Sequence, residues 1–226
     1  RKKVIEYTEL FIDVGAKSKE EVEELGIKVG DPIAFDITFS RLFGDAVVGK
    51  AFDDRVGCAA LVGIAEALAE EPPPCTVYLV GTVQEEVGLR GATVAAYGLY
   101  PDLAIAIDVT VAGDVPGVKE IEAPVKMRKG PSLTVADAGL IAHPKVLRPL
   151  VEAARLEDIP FQLESGLGGT TDAARIALTR EGVPCGVISI PTRYIHSPAS
   201  VLSLTDLENA VKLALASVRL VPAHFG

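Results

Sequence analysis

Residues 75–88 read Cys75-Thr76-Val77-Tyr78-Leu79-Val80-Gly81-Thr82-Val83-Gln84-Glu85-Glu86-Val87-Gly88, an apolar run that ends in two adjacent glutamates. The β-branched run 75–80 predicts a buried strand. Ligands of open α/β sheets bind at the carboxyl ends of strands. Neighbouring side chains of an extended chain point to opposite sides. Glu85 and Glu86 can therefore play different parts, one on a metal and one on water or substrate; the alternative is two solvated loop acids.

Outward from this run, apolar strands and helices alternate along the rest of the chain. The predicted strands are 45–52, 75–80, 103–107, 131–136, 161–164 and 185–190, and the predicted helices are 56–69, 92–97, 144–157, 171–179 and 207–220. This alternation predicts an α/β fold with a mixed, largely parallel twisted sheet and helices on both faces. The helix at 56–69 is nearly all apolar, which predicts burial between layers.

Residues 1–40 have a different character. Loosely alternating segments at 7–15 and 33–36 predict strands, and a capping box at 18–21 predicts a short acidic helix that stops near Gly26. A piece this small is not expected to form a core alone. We therefore predict a remnant of a small β domain at 1–40 and a second, larger domain at 41–226.

Composition narrows the classes of function. The chain has 226 residues and a net charge of −9, which argues against nucleic acid and anionic membranes as partners. Its apolar runs are too short to span a bilayer. The three cysteines, Cys58, Cys75 and Cys185, are far apart in apolar sequence, which predicts reduced, buried residues of a cytosolic protein.

Acidic residues follow successive predicted strands. Asp53, Glu85 and Asp108 each stand at a strand end, and His196 follows the last strand closely. If these strands are parallel, the side chains meet at one edge, where the carboxylates repel one another unless a cation lies among them. Carboxylates with imidazole suit zinc, cobalt or manganese. Two such ions bridged by an aspartate can activate a water for attack on a carbonyl, with a free glutamate as general base.

Each of these residues also has a structural interpretation. Asp54 can cap the helix that follows it, Asp108 can be a turn residue, and His196 can be a loop histidine. The segment Gly168-Gly169-Thr170-Thr171-Asp172 can be a helix start, or it can offer backbone N–H groups and a carboxylate to a substrate.

Several motifs occur together in a fixed order. The chain thereby resembles the tetrahedral (TET) aminopeptidases, also called glutamyl or deblocking aminopeptidases, some of which carry the name endoglucanase. The resemblance covers essentially the whole chain and rests on residues 49–57, Gln84-Glu85-Glu86-Val87-Gly88, Asp108-Val109-Thr110, Gly168-Gly169-Thr170-Thr171-Asp172 and residues 188–197.

The resemblance implies a role for each matching residue. Asp53 would bridge two metal ions and be followed by a cis peptide. Glu86 and His196 would complete one ion's ligands and Asp108 the other's. Glu85 would be the general base. The implied cofactors are two divalent ions, zinc or cobalt, per chain.

The resemblance also implies a setting for the chain. The fold would be a zinc-peptidase α/β domain with an inserted β-barrel-like dimerisation domain, of which residues 1–40 would be the C-terminal part. The activity would be removal of N-terminal residues from short peptides. The proteins of this family would form homo-oligomers, hollow tetrahedral dodecamers, in the cytoplasm.

One feature departs from the family pattern. The family has a further metal-binding histidine, followed two residues later by aspartate, and no histidine precedes Asp53 here. We therefore expect sequence to be missing ahead of Arg1. A complete chain of this sequence would bind two metals poorly and show little activity. Two other functions stay open: another metallohydrolase, such as a deacetylase or carboxypeptidase, and a non-catalytic assembly or peptide-binding protein.

Overall fold

The computed structural model describes residues 5–166 and 168–220. The chain divides into two compact units, Arg1–Asp36 and Ile37–Gly226. The division lies a few residues before the boundary predicted at residue 40. That the first unit belongs to an inserted dimerisation domain stays a prediction.

From residue 5 onward, the first unit contains only short helical elements. These are a 3-10 helix, Tyr7–Glu9, and an α-helix, α1 (Lys19–Glu24), which begins after Ser18 as predicted. The strands predicted at 7–15 and 33–36 are wrong, because the described residues of this unit form no β-ladder. An extended segment becomes a strand only when a neighbour completes its hydrogen bonds.

The second unit is built around one mixed sheet. Its strands are β1 (Ser40–Arg41), β2 (Ala46–Gly49), β3 (Ala104–Val111), β4 (Ser132–Ala136), β5 (Gln162–Ser165), β6 (Cys185–Arg193) and β7 (Ser200–Ser203). Its helices are α2 (Phe52–Glu70), α3 (Arg90–Leu99), α4 (Pro144–Leu156), α5 (Ala173–Ile176) and α6 (Leu204–Leu220). The predicted mixed α/β class is confirmed.

Strand β6 is the centre of this sheet. The described strands follow the order β1-β2-β7-β6-β4-β5, and β3 pairs with β6. The longest ladder is the parallel pairing of β3 with β6, from Ala104 opposite Cys185 to Val111 opposite Thr192. β4 and β5 are also parallel, and the other pairs are antiparallel.

Helices cover both faces of β6, as predicted. Because successive strand residues point to opposite faces, its side chains divide between two hydrophobic clusters. Ile188 and Ile190 join the cluster of α2, α4 and α6, with Ile64, Leu150 and Leu213. Cys185 and Val187 join the cluster on the other face, with Leu89, Ala173 and Ala174.

The strand predicted at 75–80 is absent. These residues have no ladder partner in the described part of the chain. Tyr78 is 58% exposed, Leu79 39% and Val80 38%. The segment is apolar, as a buried strand is, but composition does not supply the neighbouring strand that pairing requires.

Helix α2 is less buried than its composition predicts. Val56, Ala60 and Ile64 form a buried stripe, whereas Val62 is 59% exposed and Cys58 is exposed. The prediction that this helix is buried between layers, and that Cys58 is a buried residue, is therefore wrong. Neither α2 nor any other described helix combines the length and apolarity needed to cross a bilayer.

Candidate metal centre

Asp53 enters the site from a kink at the start of α2. The backbone of Asp53 and Asp54 is not helical, and the peptide bond between them is cis. Asp54 Oδ1 accepts a hydrogen bond from the N–H of Gly57 at 2.9 Å, so Asp54 caps the helix. The two neighbouring acids therefore have different roles. The Asp54 side chain caps the helix, whereas the Asp53 side chain takes no part in the cap and can contact other residues.

A hydrogen-bonded turn carries Glu85 and Glu86. The carbonyl of Glu85 accepts from the N–H groups of Gly88 at 3.0 Å and Leu89 at 2.8 Å. The N–H of Gly91, in the first turn of α3, donates to the carbonyl of Val83 at 2.9 Å. The glutamates are therefore held at the start of a helix, although no strand precedes them.

Gly91→Ala is expected to disturb this turn. A Cβ at Gly91 would lie 2.5 Å from both N and O of Val83. Overpacking of this kind costs about 1–3 kcal/mol of unfolding free energy. Thermal unfolding measures the loss.

Gly98→Ala is the matched control in the same helix, where a Cβ meets nothing within 4 Å and a gain of up to about 1 kcal/mol is expected. Equal stability of the two variants would contradict the packing argument.

His196 stands on a tight turn after β6. Tyr194 and His196 both have positive φ values, 61° and 56°. The hydroxyls of Ser197 and Ser200 donate to the carbonyl of Tyr194 at 2.6 and 3.1 Å. These bonds fix the turn that brings the imidazole back toward the sheet edge.

The three segments converge on one point. His196 Nε2 lies 2.9 Å from Asp53 Oδ2 and 3.3 Å from Glu86 Oε2. One donor atom of each residue lies within 4.8 Å of the other two. Two carboxylates and an imidazole are a donor set that suits zinc or cobalt. Asp53, Glu86 and His196 can therefore hold a divalent cation.

Further carboxyl groups surround this point. Burial, together with the charge of Asp108, raises the pKa of Asp54 to about 9. Burial also raises the pKa of Asp108 to about 8, with the charges of Asp53 and Glu85 adding to the effect. Burial raises the pKa of Glu85 to about 7, helped by the charge of Asp172. A bound cation would relieve this repulsion.

Asp108 lies inside β3, which runs on to Val111. The prediction that the strand ends at Asp108 is wrong. Its Oδ1 accepts from the N–H of Val109 at 2.7 Å. The electrostatic effects above set it near Asp53 and Glu85, but it is not one of the three clustered donors.

The residues predicted to contact substrate lie beside the glutamates. Asp172 Oδ2 accepts from the Thr82 hydroxyl at 2.6 Å, while its Oδ1 is buried and has no hydrogen-bond partner in the described part of the chain. The Thr170 hydroxyl donates to Asp137 Oδ1 at 2.9 Å. The carbonyl of Gly169 accepts from Ala138, which ties this segment to the turn after β4.

A cavity of about 330 Å³ opens next to the acid pair; its lining residues are Glu85, Glu86, Gly88, Leu89, Thr170 and Arg175. Thr170 was predicted as a substrate residue, but neither Gly169 nor Asp172 lines the cavity. Sequence reasoning missed Thr82, Asp137 and Arg175. Thr82 stands in the quoted motif and could have been noticed, whereas nothing local distinguishes the other two.

The profile of the M42 glutamyl aminopeptidases matches residues 1–213. The chain belongs to the M42 family. The lysyl aminopeptidase of Pyrococcus furiosus is 38% identical over 94% of this chain and 60% of its own length. The glutamyl aminopeptidase of Lactococcus lactis subsp. cremoris is 32% identical over 90% of this chain and 56% of its own length.

Solved structures of M42 relatives have the same fold. The aminopeptidase APDkam598 of the archaeon Desulfurococcus kamchatkensis superposes with a TM-score of 0.94 at 51% identity, covering 100% of this chain and 64% of that one. The TET1 peptidase of Pyrococcus horikoshii gives 0.85 at 35% identity, with 96% and 63% covered. The resemblance to TET aminopeptidases is therefore confirmed. This chain spans about three fifths of the length of the relatives that it matches.

Proposed function

We propose that this M42 family member is a metal-dependent aminopeptidase that removes N-terminal residues from short peptides. The observation that carries the proposal is the convergence of Asp53, Glu86 and His196 within 4.8 Å, with Glu85 next to Glu86 in the chain. A set of metal ligands, with a carboxylate beside it that is not itself a ligand, is the arrangement with which a hydrolase activates water.

The proposed cofactors are two divalent ions, zinc or cobalt. Asp53, Glu86 and His196 would hold the first, and Asp53 and Asp108 would contribute to the second. The donor set supports this assignment, because clustered carboxylates with an imidazole bind such ions. Burial, and after it the neighbouring carboxylates, raise the pKa of Asp108 and of Glu85, and a cation would stabilise the charged form of both groups. Ions bound there would supply Lewis acidity toward the scissile carbonyl and a water.

Glu85 is the proposed general base. Burial raises its pKa to about 7, and a base works best when its pKa lies close to the operating pH. Glu85 would take the proton of the attacking water and pass it to the leaving amine. Its place outside the three-donor cluster leaves its oxygens available for this transfer.

Asp172 is the proposed partner of the substrate amine. Its buried Oδ1 has no hydrogen-bond partner in the described part of the chain, and an unpaired buried acceptor favours a charged donor. Thr82 holds the other oxygen at 2.6 Å and so orients the carboxylate. Gly169 and Thr170, close by in the chain, would line the path of the peptide.

A peptide panel tests this function. With cobalt or zinc added, the chain is expected to release the first residue from peptides that have a free amine and to leave N-acetylated copies intact. Acetylation removes the amine's charge and two of its donors. Cleavage of blocked peptides at the C-terminus, or release of acetate, would instead support the carboxypeptidase or deacetylase alternative.

A second candidate is a non-catalytic peptide-binding or assembly protein. It is favoured by the position of Asp108, which in the described part of the chain has no histidine close enough to form a second three-donor group. Peptide binding without release of amino acids would support this candidate and contradict the first.

Assembly and location are proposals that rest on the family. The TET1 peptidase of P. horikoshii can assemble into a tetrahedron or a large octahedral shell. We propose a homo-oligomer for this chain as well, in the form of a tetrahedral dodecamer located in the cytoplasm.

A further inference from the structure

A half-buried ion pair joins the ends of the two parallel strands that lead to the site. Arg193 donates from Nε to Asp114 Oδ1 at 3.0 Å and from Nη2 to Asp114 Oδ2 at 2.6 Å. Only 27% of the arginine side chain and 23% of the aspartate side chain are exposed. Two parallel hydrogen bonds between charged groups fix both distance and orientation, which a single bond does not. The pair is therefore a geometric constraint on the two strand ends.

The ion pair lies just beyond the last residue pair of the ladder between β3 and β6. Val111 of β3 lies opposite Thr192 of β6, and the N–H of Ala112 still donates to the carbonyl of Thr192 at 3.0 Å. After this point backbone pairing between the strands stops. Asp114 and Arg193 continue the connection with side chains where the backbone no longer provides it.

His196 follows Arg193 by one short turn. Its imidazole is 66% exposed and contacts Asp53 and Glu86. Surrounding side chains therefore do little to hold the ring, and its place depends on the backbone of the turn. The serine hydroxyls hold this turn on one side. On the strand side Arg193 is held twice, by its backbone pairing with Val201 of β7 and by its side-chain ion pair with Asp114.

We propose that Asp114 is a positioning residue for metal binding, which it serves by clamping Arg193 and so holding His196 Nε2 within reach of Asp53 and Glu86. The inference rests on the proposed metal site. Asp114 itself is not one of the three clustered donors. The hydrogen bonds from Arg193 lower the pKa of its carboxyl, so the clamp is intact at neutral pH.

The test measures cobalt affinity by titration calorimetry on the full chain, without reference to activity. Asp114→Asn is expected to weaken binding about 10- to 100-fold, the usual cost of losing a partner that orients a metal ligand. The decisive measurement is the same substitution in a His196→Ala background. In that background Asp114→Asn should leave the remaining cobalt affinity unchanged, because the protein has no imidazole at position 196 to be positioned.

Two further variants separate the positioning role of Asp114 from the effect of removing a charge and from a folding defect. Glu71→Gln also removes one negative charge and breaks an arginine ion pair, the one with Arg219 at 2.5 Å. This pair lies at the far end of α2, about 25 Å from Asp53. The cobalt affinity of Glu71→Gln should therefore equal that of the wild type. Arg193→Lys keeps the charge and loses the planar fork, so it should weaken cobalt binding as Asp114→Asn does.

The outcomes are distinguishable. An equal loss from Asp114→Asn with and without His196 would overturn the positioning role, since a charge effect or a folding defect does not depend on the imidazole. Unchanged affinity in Asp114→Asn would overturn it as well. If the unsubstituted chain bound no cobalt, or if His196→Ala bound it equally well, the metal site itself would be rejected.

Discussion

Glu85→Gln is expected to lower kcat for peptide hydrolysis by about 10²–10⁴-fold, the usual contribution of a general base. The amide has nearly the shape of the carboxylate but cannot accept the proton of the attacking water. Metal content should stay unchanged, because Glu85 is not one of the three clustered donors. Steady-state kinetics on a free-amine peptide, together with metal analysis of the same sample, checks both parts.

Glu66→Gln is the matched control. This glutamate is exposed on α2, so the same change of charge and shape is made away from the site, and kcat should stay at its original value. A Glu85→Gln protein that turns over peptide at the original rate would reject Glu85 as the base. If it lost metal together with activity, Glu85 would be a ligand.

Divalent metal is expected to stabilise the chain more at pH 8 than at pH 5.5. The folded-state pKa values of Glu85, Asp108 and Asp54 are raised to about 7, 8 and 9, whereas unfolded carboxyls titrate near 4. The folded metal-free protein therefore holds more protons than the unfolded chain. The associated stability is fully present below about pH 4 and is lost as pH rises through 7–9.

A bound cation opposes this loss of folding stability at high pH, because it favours the charged form of the carboxylates. At free cobalt 100-fold above Kd the gain is about 2.7 kcal/mol. For a domain of this size that is a rise in Tm of about 5–10 °C. Scanning calorimetry of chelator-treated protein, with and without cobalt, measures it at both pH values. His196→Ala should lose most of the rise at pH 8; a rise that is independent of pH or of His196 would contradict the site.

The fold was predictable where burial alone determines structure. The run that became β6 is apolar and β-branched, and it is buried from Cys185 to Thr192. The same reasoning failed at 75–80, because a similar composition lacks a neighbouring strand in the described chain. β7 was not predicted: Ser-Val-Leu-Ser is short and polar at both ends, and it is a strand because β2 and β6 pair with it.

The candidate site was predictable for a different reason. Acids that follow apolar runs suggested a shared edge, and the resemblance assigned them roles, so Asp53, Glu86 and His196 were named together. Their convergence did not require the strand that was expected before Glu85, because the turn and α3 hold the glutamates instead. Asp114 and Arg193 could not be foreseen. Their pairing joins residues 79 positions apart, and neither one stands out in its local sequence.

The one-sided pairing of β3 has a consequence for how this molecule meets other chains. Along its eight residues, β3 is hydrogen-bonded to β6 and to no other described strand. In the described part of the chain the opposite margin has no neighbouring strand, and apart from the N–H of Val109, which donates to Asp108 Oδ1, its amide and carbonyl groups could pair with a further extended segment. Asp108 lies in the middle of this strand, so an extended segment paired along that margin would lie beside the carboxylates of the candidate site.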